Sequence, residues 1–230
     1  MIDRCHDIED LRQLARKRLP RALWDYLDGG ADDEVTLARN MSGFNDWQLV
    51  PRVLQAVDTV DTRTTILGHN VDLPIIFSPT GISRAFHHEG EPAVVRVADR
   101  NNMVYSLSSM GTTSIEDVAA VSRGIRWFQI YVWRNRELLK DFIERCRVSG
   151  YSALFLTVDT AIGGNRQRDL YNGLTMKDNL TWSSRFEALT HPHWMYNYLT
   201  RDKLRLANVS KYGVNDKSLF SVMDYIANEL

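Results

Sequence analysis

The spacing of apolar residues divides the chain into a helical first part and a later part in which apolar runs alternate with helical patterns. In the first part, apolar residues recur three and four positions apart after Asp7, a residue type that caps helices. The pattern predicts three helices and one hairpin turn, at 7–18, 21–27, 32–41 and 67–70. The second helix is expected to end at Gly29-Gly30, and residues 1–72 to form a helical cap and lead-in.

Four apolar runs follow the predicted cap. They lie at 74–80, 103–109, 125–132 and 153–159, and helical patterns lie between them at 89–101, 114–121 and 136–147. Strands that alternate with helices form a parallel sheet. The sequence therefore predicts an α/β unit over residues 73–160, whose sheet is either doubly wound or closed into a (β/α)8 barrel.

Polar side chains follow a common parity in the three later runs. Alternation along each strand places them on one face, near the carboxyl ends: Ser106 and Ser108, Gln129 and Tyr131, and Thr157 and Asp159. The opposite face is apolar and is expected to lie under helices. Buried polar groups need partners, so these side chains either satisfy one another and the nearby backbone or hold a ligand. Amides and hydroxyls without a phosphate-binding loop favour a planar heteroaromatic ligand with hydrogen-bonding edges, such as a flavin ring.

Composition excludes several classes of protein. The 230 residues carry a formal net charge of −1, which argues against non-specific nucleic-acid binding. Cys5 and Cys146 have no spacing typical of a disulfide framework and indicate free thiols in a reducing compartment. No apolar run approaches the ~20 residues of a membrane span, and the N-terminus is too charged for a signal peptide. We therefore expect a cytoplasmic protein.

Large aromatic residues are concentrated after the last predicted strand. The stretch 177–216 is rich in them and has no clear period, so residues 161–217 are expected to form a long loop beside the site. The aromatic residues are predicted to pack within the loop, against a neighbouring subunit or on a membrane surface, which adds peripheral contact with the inner membrane to the expected location. Ser218 can cap a last helix over 218–230.

Five long segments carry a family resemblance. They resemble the FMN-dependent α-hydroxy acid dehydrogenases and oxidases, which include glycolate oxidase, lactate dehydrogenase and mandelate dehydrogenase. The segments are LPRALWDYLDGGADDEVTLARN (19–40), PIIFSPTGISRAFHHEGE (74–91), SLSSMGTTSIEDVA (106–119), IRWFQIYVWRNR (125–136) and LTVDTAIGGNRQRDLYNG (156–173). The segments GNRQRD (164–169) and HPHWMYNYL (191–199) are most similar to the bacterial lactate and mandelate dehydrogenase branch.

The resemblance implies a fold, a cofactor and a set of site residues. The fold is the N-terminal half of a (β/α)8 TIM barrel with an N-terminal helical cap, and the cofactor is FMN at the C-terminal mouth. The implied FMN contacts are the backbone at Pro79, Thr80 and Gly81 and the side chains of Ser108, Gln129 and Thr157. The implied substrate contacts are Tyr26, Met110, Tyr131 and Arg166, and the implied catalytic residues are Tyr131 and Asp159, with Asp159 orienting a histidine base. No metal ion is implied.

The implied reaction is oxidation of a small L-2-hydroxy acid, with L-lactate favoured, to the 2-oxo acid. A quinone, a cytochrome or oxygen would take the electrons, and the complete enzyme is expected to be a homo-oligomer. A (β/α)8 barrel needs about 250 residues, and the family's lysine, histidine base and paired arginine of the later strands are absent here. We therefore expect residues 1–230 to be a single incomplete domain that is truncated and inactive alone. Alternatives are a second polypeptide that supplies the other half, and a non-catalytic half-barrel that serves as an interaction module.

Overall fold

Three helices and a hairpin precede the sheet. The computed structural model describes residues 2–159, 162–174 and 181–209. Helices α1 (Ile8–Arg18), α2 (Arg21–Asp28) and α3 (Val35–Ser42) are followed by the antiparallel strands β1 (Thr64–Ile66) and β2 (His69–Val71). The Asp7 carboxylate caps α1 by accepting a hydrogen bond from the Asp10 backbone N–H at 2.8 Å. The predicted helices and hairpin are thus confirmed.

The third helix begins later than its apolar pattern predicts. Asp32 and Glu34 have φ angles of 49° and 57°, in the left-handed region that no right-handed helix contains. The Glu34 carboxylate accepts from the Gly30 backbone N–H at 3.0 Å, which holds this turn closed. The turn therefore delays α3 to Val35.

Four parallel strands form the central sheet, as predicted. In chain order the elements are β3 (Ile76–Phe77), α4 (Ser83–Phe86), α5 (Gly90–Arg100), β4 (Val104–Ser108), α6 (Ile115–Val121), β5 (Arg126–Tyr131), α7 (Arg136–Val148) and β6 (Ala153–Thr157). The strand order β3-β4-β5-β6 follows the sequence, and every neighbouring pair is parallel. Strand β3 is shorter than its apolar run because Pro74 and Pro79 cannot donate to the ladder.

Three helices lie within the stretch that was expected to form a long loop. They are α8 (Gln167–Asn172), α9 (Trp182–Ala188) and α10 (Pro192–Thr200). Thr181 caps α9 by accepting from the Ser184 backbone N–H at 3.2 Å, and Pro192 occupies the first turn of α10, where its missing N–H costs nothing. The helix-start residues Thr181 and Pro192 indicate α9 and α10, whereas the irregular spacing of the aromatic residues suggests a loop. The helix predicted over 218–230 lies outside the described residues.

The two faces of the sheet have different neighbours. Tyr105, Leu107, Phe128 and Ile130 face α5, α6 and α7 and belong to the main core, together with the buried Phe142. On the other face, Val104 and Trp127 pack with Val71 of the hairpin. Alternation puts Ser108 and Gln129 on this second face, further along the same strands. The second face is therefore apolar at the hairpin and polar at the carboxyl ends of the strands.

The outward face of β6 is not covered by the described residues. Leu154, Leu156 and Val158 are 45%, 62% and 78% exposed. The expectation that this face lies under helices is therefore wrong for β6 within the described ranges. The next helix along the chain, α8, packs against α2 of the cap instead of against the sheet.

A buried carboxylate connects α5 to the turn after β4. Glu91 is only 1% exposed. Its oxygens accept hydrogen bonds from the backbone N–H of Thr112 at 2.7 Å, from the Thr112 hydroxyl at 2.7 Å and from the Thr113 hydroxyl at 2.8 Å. These partners replace the water that the carboxylate loses on burial, which is the condition under which an acid is tolerated in a core.

Candidate active site

Gln129 joins three strands in a row of hydrogen bonds. Its Oε1 accepts from the Ser108 hydroxyl at 3.0 Å, and its Nε2 donates to the Thr157 hydroxyl at 2.5 Å. Ser108 in turn accepts from the Met110 backbone N–H at 3.1 Å. The structure thus brings together the three side chains expected to contact the ring edge of FMN, and each has a partner within the row.

Two polar atoms beside this row have no hydrogen-bond partner among the described residues. Ser106 Oγ and Trp127 Nε1 are both buried and unsatisfied. The two residues pair with each other across β4 and β5, two residues before Ser108 and Gln129 and on the same face. A face that mixes a satisfied row with unsatisfied donors fits a planar group that has hydrogen-bonding edges.

The segment 79–81 lies against the turn that follows β4. Ile82 donates its backbone N–H to the Met110 carbonyl at 2.9 Å. A Cβ added to Gly81 would lie 3.1 Å from the Met110 Cβ, so the glycine permits the close approach of the two segments. Pro79 and Thr80 follow β3 at the same end of the sheet. The segment proposed to contact FMN through its backbone therefore lies beside Met110, whose N–H donates to Ser108 of the row.

Tyr131 and Asp159 interact at the ends of β5 and β6. The pKa of the Tyr131 hydroxyl is raised, first by burial and then by the negative charge of Asp159. Asp159 itself is exposed. Water can therefore solvate the Asp159 carboxylate, which needs no buried partner in the described part of the chain.

Tyr26 brings the cap to the same region. Its ring stacks on Phe86 with centroids 6.3 Å apart, and the Arg166 guanidinium lies 5.0 Å from its ring centroid. Burial is the main reason that the pKa of the Tyr26 hydroxyl is raised. Tyr26, Met110 and Tyr131 all pack against the main core. The predicted substrate contacts of the cap and of the sheet are therefore neighbours.

Arg166 is held at the C-terminal end of α2. Its Nε donates to Asp169 Oδ2 at 2.5 Å, one terminal nitrogen donates to the Gly29 carbonyl at 3.1 Å, and the other donates to the Tyr26 carbonyl. A guanidinium has five N–H groups, so these three bonds leave two N–H groups for a further acceptor. Arg166 can therefore bind a carboxylate without leaving the cap.

Arg168 has a different role, which the sequence reasoning left unassigned. It forms ion pairs with Glu34 and, at 3.4 Å, with Asp28, and Asn172 Nδ2 donates to Asp25 Oδ2 at 2.8 Å. Asp28 also accepts from Arg12 at 2.7 Å, and this bond is the largest cause of its lowered pKa. We call these contacts between α8 and the cap the cap latch. Charge complementarity between DYLDGGADDE (25–34) and RQRD (166–169) would have indicated the latch.

Comparison with known proteins gives consistent matches over most of the chain. A family model described as FMN-dependent dehydrogenase matches residues 15–227. A putative L-lactate dehydrogenase of Mycobacterium tuberculosis is 39% identical over 219 residues, which are 94% of this chain and 53% of the relative. The 2-hydroxyacid oxidase 1 of Homo sapiens is 39% identical over 191 residues, which are 83% of this chain and 51% of the relative. The chain thus spans about half the length of the curated relatives it matches.

Solved structures confirm the fold class. A crystal structure of a monotopic membrane protein, (S)-mandelate dehydrogenase, has a TM-score of 0.91 at 30% identity and covers 98% of this chain and 60% of that chain. A mandelate oxidase bound to (S)-4-hydroxymandelic acid has a TM-score of 0.77 at 30% identity and covers 96% and 56%. The described residues therefore form an α/β partial TIM barrel, as the resemblance implied, and the family's cofactor is FMN.

Proposed function

We propose, because the chain belongs to the FMN-dependent dehydrogenase family, that it contributes the cap and the first four strands of an enzyme that oxidises a small 2-hydroxy acid. The observation that carries the proposal is the row Ser108–Gln129–Thr157 at the carboxyl ends of β4, β5 and β6. Sites form at this end of parallel α/β sheets. The division of the chain into cap, strands and later segment is part of the same proposal.

Six positions are proposed to hold FMN. Ser108, Gln129 and Thr157 would exchange part of their mutual hydrogen bonds for bonds to the ring edge, and the segment Pro79-Thr80-Gly81 would lie along the ring. The row does not destabilise the fold when the ring is absent, because both ends of the Gln129 amide then have a hydrogen-bond partner. FMN, when bound, accepts the two electrons that leave the substrate.

The substrate is proposed to lie between the cap and the sheet. Arg166 supplies two N–H groups to the carboxylate, Tyr26 and Tyr131 supply hydroxyls, and Met110 borders the space for the substrate side chain. Asp159 is proposed to orient a histidine base that the rest of a complete enzyme supplies, since a carboxylate stabilises the protonated imidazole. L-Lactate is the proposed substrate, because two of the relatives are named putative L-lactate dehydrogenase and L-lactate dehydrogenase.

Helices α9 and α10 are proposed to contact a membrane surface from the cytoplasmic side. Trp182, Phe186, Tyr196 and Leu199 are 73%, 66%, 63% and 71% exposed. Clustered exposed aromatic residues mark interaction surfaces, and rings of this type favour the membrane interface. The (S)-mandelate dehydrogenase that this chain resembles is described as monotopic. Every helix in the part of the chain that the structure describes is too short or too polar to cross a bilayer.

The acceptor of the electrons and the assembly of the enzyme belong to the same proposal. A membrane quinone fits the proposed surface of α9 and α10, oxygen fits the relatives that are named oxidases, and a cytochrome is the third proposed acceptor. The complete enzyme is proposed to be a homo-oligomer.

Binding of FMN tests the proposal. The purified chain should quench FMN fluorescence on titration, and Gln129→Met should weaken binding about tenfold, as expected when one good hydrogen-bonding group is lost. The exposed Gln167→Met is the matched control and should bind FMN as the parent does. Absence of binding at millimolar FMN would remove the proposed function.

Turnover measurements test the expectation that residues 1–230 are inactive alone. L-Lactate, glycolate and mandelate should each be supplied with FMN and an artificial electron acceptor. We expect FMN binding without appreciable turnover, because none of the histidines in the described residues is assigned as the catalytic base. A rate similar to that of complete enzymes would contradict this expectation and leave the FMN site intact.

A second function, a non-catalytic module that pairs with a second copy of itself, is favoured by the uncovered leucines of β6. Edge strands with exposed apolar faces promote association. A stable dimer in sedimentation, with no FMN binding, would favour this function over catalysis.

A further inference from the structure

A basic cleft lies between the end of α1, helix α4 and helix α10. Six basic side chains line it: Arg18, Arg84, His87, His88, His193 and Arg201. Among the described residues, Asp202 is the one acid that lines it. None of these residues is among the proposed FMN or substrate contacts, so this cleft goes beyond the proposed function.

Charge in the cleft is only partly balanced within the described residues. Both terminal nitrogens of Arg84 lie 3.2 Å from the same oxygen, Asp202 Oδ2. Arg201 directly follows α10 and has no ion pair within the described part of the chain. The Asp202 carboxylate thus faces two guanidinium groups, those of Arg84 and Arg201, and the repulsion between these two groups favours a bound anion.

Two nitrogens of the lining side chains are buried without a hydrogen-bond partner. They are Arg84 Nε and His88 Nδ1. Arg84 Nε carries a hydrogen at any pH, and His88 Nδ1 carries one when the ring is protonated, so an oxyanion can accept from both nitrogens. The missing hydrogen-bond acceptors and the excess positive charge therefore both favour a bound anion.

The walls of the cleft are fixed, and its size suits a small ion. Trp194 donates its Nε1–H to the Ala85 carbonyl at 2.8 Å and stacks on Tyr198 with centroids 4.9 Å apart. The volume of the cleft is about 50 Å³. A metal ion is not favoured, because no three His, Cys, Asp or Glu side chains in the described ranges are grouped for metal binding.

We propose that this cleft binds a phosphate-type oxyanion, supplied as free phosphate or as the phosphate of a lipid headgroup. Arg84, Arg201 and the histidines provide charged donors, and such hydrogen bonds are the strong ones. Proximity to α10, whose exposed residues are proposed to contact a membrane, makes the lipid a second source of the same group.

The binding should strengthen as the pH falls. The pKa of His87 is lowered, first by burial and then by the charges of His88, Arg18 and His193, against the opposing charge of Glu89. A bound oxyanion opposes these causes and raises the pKa, so binding takes up protons. The charged and titratable groups that line the cleft are Arg18 of α1, Arg84 of α4, His87 and His88 of the following turn, His193 of α10, and Arg201 and Asp202 after it. Glu89 lies outside the lining and acts on His87 through its charge.

Equilibrium dialysis of the full chain against labelled inorganic phosphate tests the proposal. Arg201→Gln should weaken binding about tenfold, the effect of one charge-assisted hydrogen bond. Arg100→Gln is the matched control, because Arg100 ends α5 as Arg201 follows α10 and is also exposed. Sulfate, which does not titrate in this range, should bind more tightly at about pH 5.5 than at about pH 8, because binding protonates His87, whose pKa in the free cleft lies below its ordinary value.

Vesicles distinguish the two sources of phosphate. The chain should be sedimented with phosphatidylcholine vesicles that contain or lack phosphatidylglycerol. Binding that needs phosphatidylglycerol and Arg201 identifies the lipid headgroup, and Arg201-dependent binding of inorganic phosphate alone identifies the free ion. Vesicle binding that is equal for the parent and Arg201→Gln, together with no saturable phosphate binding, overturns the proposal and leaves the aromatic membrane contact standing.

Discussion

Single side chains decide how polar groups are accommodated inside this sheet. Gln129 presents one acceptor and two donors, and it uses both ends to join Ser108 to Thr157. The parity of the strands predicted that these three side chains would meet. It did not predict that they satisfy one another, because hydrogen-bond direction depends on side-chain rotamers that a sequence pattern does not specify.

Glu91 gives a prediction at the same scale. Glu91→Ala removes the acceptor of three Thr112 and Thr113 donors and leaves a void beside them. We expect the free energy of unfolding to fall by about 3 kcal/mol, since several buried donors lose their partner at once. Urea denaturation measures this change. Glu137→Ala, at a 74% exposed carboxylate on α7, is the control and should change stability little. Equal effects of the two variants would show that the buried network contributes nothing.

Elements of this chain were predicted well where local chemistry determines them. The Asp7 cap, the hairpin turn and the alternation of strands with helices all depend on neighbouring residues. Helices α9 and α10 were missed because their apolar residues remain exposed, and therefore show no core-facing period. The packing of α8 on α2 was also missed, since its contacts join positions more than 130 residues apart.

The cap latch gives the prediction for this scale. Arg168→Gln should release α8 from α2, because the variant loses its pairs with Glu34 and Asp28. Amide hydrogen exchange in α2 and α8 should accelerate several-fold, as expected for loss of a charged network worth about 1 kcal/mol. Arg147→Gln removes a single exposed pair with Glu144 on α7 and serves as the control. Unchanged exchange in α2 would show that the Arg166 and Asn172 bonds and packing hold α8 on α2 without Arg168.

At the scale of the whole molecule, helices cover the sheet as far as β5 but leave the outward face of β6 exposed in the described ranges. Helices α5, α6 and α7 cover the strands up to β5, and β6 presents leucines to solvent in the described ranges. The resemblance predicted a partial barrel correctly. The apolar pattern alone does not distinguish a doubly wound sheet from a barrel, because strands alternate with helices in the same way in both folds.

Association through β6 is the expected result of this arrangement. Leu156→Lys should lower the apparent mass of the chain in sedimentation, because a charge on the exposed face opposes contact between copies. Leu67→Lys, at a 70% exposed leucine in the hairpin turn, is the matched control and should leave the mass unchanged. If both variants sediment as the parent does, β6 is not the contact surface.

The anchoring of Arg166 has a thermodynamic consequence for recognition. A free arginine side chain has about 2 kcal/mol of rotamer entropy, which it loses when it becomes ordered around a ligand. Here the carbonyls of Tyr26 and Gly29 and the Asp169 carboxylate restrict the guanidinium as soon as the chain folds. A carboxylate that binds here orders little that was mobile before, so calorimetry of such a ligand should show a small unfavourable conformational entropy.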